Sequence, residues 1–182
     1  RGWSEERRDR CKLFYSVFGK ENIDNLNEEN FRKIMKELWS FRGWTNKDYR
    51  VDNIIKDNGL ANIKEQLKEL LHGDKPIANR MDNFNLKWIG PSSLTEILLL
   101  VYPDKYCLWN NRAKEVFDYF NINQLNPDLY KYSYLKGEDY VSILEVMNQI
   151  KDILGKNGYP NFDYLDADIF IWTISEYADF DA

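Results

Sequence analysis

The chain has 182 residues, 43% hydrophobic and 30% charged, enough for one substantial core in a single domain or two closely packed lobes, which excludes disorder over most of its length. The longest apolar run, Ile97 to Tyr102, is far too short to span a membrane, the opening RGWSEERRDR is not a secretory signal, and two cysteines with one histidine, His72, supply neither a disulfide framework nor a zinc site. The net charge of −5 is regional: residues 1 to 50 carry 12 basic against 9 acidic side chains and residues 84 to 114 carry 4 against 2, whereas residues 115 to 182 carry 4 against 13, so a basic face on the first two thirds is compatible with the total.

In chain order, Cys11, Phe14, Tyr15 and Phe18 recur at helical spacing over residues 5 to 18, with Gly19 as the stop, and Arg7, Arg8 and Arg10 read as its solvated positions. Asn27 caps a second helix predicted over residues 28 to 41 through Phe31, Ile34, Met35 and Leu38. After a turn at Arg42-Gly43, Val51, Ile54 and Ile55 define a helix ending before Gly59, and Ile63, Leu67, Leu70 and Leu71 define the next, ending at Gly73. Ile77, Met81 and Phe84 mark a helix after Pro76, and Ala113, Val116, Phe117 and Phe120 another from Asn111. Residues 121 to 137 read as a tyrosine-rich connection with at most a short helical turn; residues 138 to 154 are helical with Gly155 as the stop. Phe162, Leu165, Ile169 and Trp172 define the last helix, with a strand as the alternative. The fold class is therefore mainly α, a compact domain over residues 1 to 182 of about eight helices without internal repeats, and Cys11 and Cys107 fall in its core.

The most informative segment lies within residues 76 to 120. In LKWIGPSSLTEILLL, Gly90 is free to take backbone angles closed to other residues and Pro91 sets the chain direction. Ser93 and Glu96 have capping-box spacing, which starts a helix near Leu94. Amides at Gly90, Ser92 and Ser93, with Lys87 nearby, form a positive helix terminus suited to a phosphate oxygen. The structural alternative is a helix turn with no ligand.

This segment resembles the helix-hairpin-helix element of the DNA base-excision glycosylase superfamily, with Gly90 at the second glycine of its hairpin and Trp88 where the first belongs. The resemblance sets Asn110 of CLWNNRA at the position of the catalytic aspartate and Ser92 at that of the Schiff-base lysine. Asn carries no negative charge to stabilise an oxocarbenium ion and a serine hydroxyl forms no imine, so the resemblance implies DNA binding without excision. An active glycosylase would need another acid, such as Asp104.

Residues 84 to 120 are similar more closely to the N-terminal domains of McrB-like restriction ATPases, through Ile89, Gly90, Tyr102, Pro103, Asp104, Tyr106, Leu108, Trp109, Asn110 and Arg112. That similarity implies a prokaryotic, cytoplasmic module recognising double-stranded DNA, methylated or foreign, and needing no cofactor of its own. It would work with an ATPase domain in the same parent chain and a separate nuclease subunit. A chain beginning at Arg1 fits a piece of such a longer polypeptide, and no P-loop motif occurs in it.

The candidate phosphate contacts are Lys87, Gly90, Ser92, Ser93 and Arg112. The candidate base or backbone contacts are Arg42, Trp44, Lys47, Tyr49 and Arg50, where aromatics interleave with cations, and Trp109, Asn110 and Asn111. Each has a structural alternative: Trp109 as a core plug, Asn110 and Asn111 as helix caps, Arg112 paired to a carboxylate, and SFRGWTNKDYR as an irregular loop over the core. A different class of function, protein docking through the acidic C-terminal third at Asp163, Asp166 and Asp168, is the main competitor.

Overall fold

A computed structural model describes residues 3–122, 124–131, 133–158 and 162–177. Apolar periodicity sets the first helix, α1 (Trp3–Phe18), whose Cys11, Phe14 and Phe18 are buried. Asn27 then caps α2 (Glu28–Met35), its side chain accepting from Asn30 N–H while Asn30 reaches back to the Asn27 amide. Next come α3 (Lys47–Asn58), α4 (Leu60–His72), α5 (Ile77–Asn83), α6 (Pro91–Val101), α7 (Asn111–Tyr119), the short α8 (Asp128–Lys131), α9 (Gly137–Lys156) and α10 (Tyr164–Tyr177). The described residues contain no strand, so the mainly α class holds, with ten helices where about eight are predicted. The alternative strand around residues 169 to 174 is helical, within α10.

The architecture is organised around α6, in which every residue from Ser93 to Val101 is buried. A helix buried all round needs neighbours on several sides. It packs against α1, α10 and a 3-10 turn at Trp39–Phe41; α10 also packs on α7 and α9, and α5 on α9. The two cysteines lie in this core, where burial pushes the Cys11 thiol up to about 11 and the Cys107 thiol up to about 12. His72 joins α4 to α1: one ring nitrogen lies 2.8 Å from Phe18 O and the other 2.9 Å from the Tyr102 hydroxyl, and burial lowers its pKa.

Four local expectations are corrected. The helix expected over residues 28 to 41 stops at Met35, and the chain turns again at Trp39–Phe41 because the Glu96 carboxylate takes the Trp39 and Ser40 amides. Ser93 and Glu96 therefore form no capping box. Ser93 Oγ instead lies 2.9 Å from Ser40 Oγ, and α6 begins earlier, with Pro91 in its first turn and no side-chain cap. Gly90 does not use its special freedom, being extended at φ −87°; the left-handed residue is Trp88, at φ +73°. Finally, Gly155 lies inside α9, which runs on to Lys156.

The N-terminal arginines are also not simply solvated. Arg7 is buried and pairs with buried Asp168, Arg8 pairs with Asp163 and Asp166, and Arg10 donates to Glu37 O. The Arg7 and Arg8 pairs fasten α1 to α10 and its approach, and engage Asp163, Asp166 and Asp168, the acids of the docking alternative.

Candidate functional site

Where α6 and α7 begin, the chain forms a cavity of about 460 Å³ that is open to solvent. Ser92 and Glu96 of α6 and Asn110 to Arg112 at the start of α7 line it, opposite Trp39, Ser40 and Arg42; Arg7 of α1 with Asp168 and Trp172 of α10 close the remaining side. Five predicted site residues, Arg42, Ser92, Asn110, Asn111 and Arg112, thus converge from three separate segments.

The helix starts define the electrostatics. Asn110 accepts from Ala113 N–H at 3.0 Å and caps α7. Neither α6 nor α7 has an acidic residue in its first turn, a feature they share with α4 and α5. The starts of both helices thus border the cavity without a first-turn carboxylate to offset their positive ends, although Glu6, Glu96 and Asp168 also line it. Arg112 reaches α10, where it donates to Ser175 Oγ at 2.9 Å, pairs with Glu176 and lies 5.4 Å from the Trp172 ring centroid. Arg42 is mostly exposed and lies 3.8 Å from Glu6.

The floor is polar and buried. Glu96 is 1% exposed and sits against the Trp39 and Ser40 amides, yet its loss of solvent outweighs those bonds and pushes its pKa up to about 7. Asp168 is likewise raised by burial, opposed by the Arg7 guanidinium. That guanidinium also lies 4.5 Å from the Trp39 ring centroid. Trp109 is not a contact residue: it is 2% exposed, its ring edge-on to Phe117, and its backbone N–H donates to the Thr95 hydroxyl at 3.1 Å.

Of the remaining predicted residues, Arg50 meets the turn before α6. Arg50 lies 4.7 Å from the Phe41 ring centroid and 4.2 Å from that of Trp44, and it donates to Trp88 O at 2.8 Å. Lys87 and Tyr49 are exposed nearby, while Lys47 donates to Lys36 O at 3.1 Å. Ser93 is buried against half-buried Ser40, and Gly90 borders the α6 start without lining the cavity. Asp104 is exposed on the turn after α6 and does not line the cavity either.

Sequence reasoning did not bring Glu6, Trp39, Ser40 and Trp172 to this site, placed Arg7 in solvent and Asp168 on a docking surface, and assigned Glu96 to a different bond. These residues meet only through tertiary packing; the local signal was Glu96, the one charged residue of its helix. No group of acidic, histidine or cysteine side chains able to hold a metal is present among the described residues. None of their helices is long and apolar enough to cross a membrane. Comparison of the chain with protein-family models, with curated proteins and with solved structures finds no match.

Proposed function

We propose that this domain is a DNA-recognition module without chemistry of its own, which grips the phosphate backbone where α6 and α7 begin. The observation that carries this reading is the meeting of two helix N-termini, both lacking first-turn acids, with Arg42 and Arg112 at one cavity. Helix-start amides and arginines are the groups that hold phosphate oxygens. The half-exposed Arg112–Glu176 pair is no obstacle, since an exposed ion pair contributes about 1 kcal/mol or less and a phosphate can replace the carboxylate. The absence of chemistry rests on Asn110, an amide whose oxygen is committed to capping α7. The resemblance of residues 84 to 120 supports double-stranded, modified or foreign DNA as the target and a restriction ATPase with its nuclease as the machinery served.

The test is duplex binding measured by fluorescence anisotropy over a salt series, with unmodified, 5-methylcytosine and 6-methyladenine duplexes. Affinity is expected to fall steeply with salt. Ser92→Asp separates binding from folding, because an acid in the first turn of α6 favours the helix but repels phosphate. The variant should keep its helical circular dichroism at the temperature of the binding measurement while losing about tenfold or more in affinity. No duplex binding by the unaltered chain at low salt, or unchanged binding by Ser92→Asp, would overturn the proposal.

A further inference from the structure

The hairpin before α6 holds a bulky residue in a backbone conformation usually left to glycine or asparagine: Trp88, at φ +73°. Such strain persists only where surrounding groups over-determine it. Here α3 supplies them all. The Asn58 side chain accepts from Lys87 N–H at 2.9 Å and donates to Lys87 O at 3.1 Å. Arg50 donates to Trp88 O at 2.8 Å, and Asp57 accepts from the Trp88 indole N–H at 2.7 Å.

Two ordinary reasons for a tryptophan fail at this position. A turn with φ near +73° is made most easily by glycine, and a core plug would be covered, whereas Trp88 is 41% exposed. Asp57 fixes the edge of the ring and turns it into a rigid surface feature. Trp44, 44% exposed, lies against the same Arg50 that holds the Trp88 carbonyl. Exposed Lys87 adjoins Trp88, and Arg42, two residues before Trp44, lines the cavity at the α6 and α7 starts. One exposed indole lies against the Arg50 guanidinium and the other belongs to the residue whose carbonyl Arg50 holds; with Lys87 and the proposed phosphate site close by in the chain, they offer planar surfaces near cations, suited to rings attached to an anionic backbone.

We infer that Trp88 and Trp44 stack on unpaired nucleobases, so that the domain engages single-stranded as well as duplex DNA. The inference rests on the nucleic-acid reading above and assigns Trp88, the departure from the hairpin pattern, a positive role. Stacking of this kind tolerates any base, because each presents a π face.

The experiment compares an oligothymidylate of about 12 nucleotides with a duplex of the same length, binding the unaltered chain, Trp88→Gly and Trp88→Phe at a temperature where circular dichroism shows each folded. Trp88→Gly should lose about tenfold or more on the oligothymidylate and stay within about threefold on the duplex. Trp88→Phe keeps a ring without the indole N–H and should retain single-strand binding within about threefold. The inference is overturned if the unaltered chain binds the duplex but not the oligothymidylate, if Trp88→Gly binds both as before, if it loses both alike, or if Trp88→Phe loses single-strand binding. Failure of the unaltered chain to bind the duplex while binding the oligothymidylate would overturn the duplex reading and leave the stacking face standing.

Discussion

Glu96 shows how far a single residue can depart from its local sequence signal. Three residues after Ser93, it has the spacing of a cap for its own helix, yet it serves amides 56 and 57 positions earlier in the chain. Asn27 and Asn110, by contrast, cap as their sequences indicate, because their partners lie three residues away. Glu96 also makes stability depend on pH. Its folded pKa, about 7, lies above the ordinary 4.5, so the folded state holds a proton that the unfolded state releases. Its contribution is fully present below 4.5 and is lost as pH rises through 7. Over that window it amounts to about 3 kcal/mol. Glu96→Gln, which mimics the protonated acid, should remove this slope, so the stability difference between variant and unaltered chain should shift by about that amount between pH 4.5 and 8 in denaturant unfolding. A difference that stays constant with pH would contradict the assignment.

At the level of elements, the positions of the helices were largely legible, because apolar spacing and local caps determine them. Their ends were less so. The premature end of α2 depends on Glu96, and the geometry before α6 depends on α3, neither of which lies in the segment being read. Glycines make the distinction measurable. Gly137, in the first turn of α9, sits so close to α5 that an added Cβ would lie 2.0 Å from Ala78 O and 2.5 Å from Ala78 Cα, and its amide donates to Asp82 at 2.8 Å. Gly155, near the other end of α9, has open space around it. Helix propensity favours alanine at both sites. Gly137→Ala should nevertheless destabilise by about 1–3 kcal/mol as α5 and α9 are pushed apart. Gly155→Ala should be neutral or stabilise by up to about 1 kcal/mol. Thermal or urea unfolding of the pair checks the contrast, and equal effects would show that the α5–α9 approach is not tight.

At the scale of the whole molecule, the charge asymmetry seen along the chain is largely closed within it. Arg8 pairs with Asp163 and Asp166, Arg112 with Glu176, and Arg7 with Asp168, so the first and last helices are tied across as many as 161 positions. Sequence displays the regional excess of each sign but not the pairing, which exists only once α1 and α10 flank α6. Of these pairs, Arg7–Asp168 carries the largest consequence because both residues are buried. Arg7→Leu leaves Asp168 in a site that already disfavours its charge, and should cost about 3–5 kcal/mol at neutral pH. The loss should shrink in acid: removal of the guanidinium raises the Asp168 pKa further, and a protonated carboxyl tolerates the apolar surroundings. Replacing both residues, Arg7→Leu with Asp168→Leu, should recover most of the stability, since neither desolvated charge then remains. Urea midpoints of the single and double variants separate a buried tie from ordinary packing. Equal losses in both would mean that shape at this junction, rather than the matched charges, holds α1 to α10.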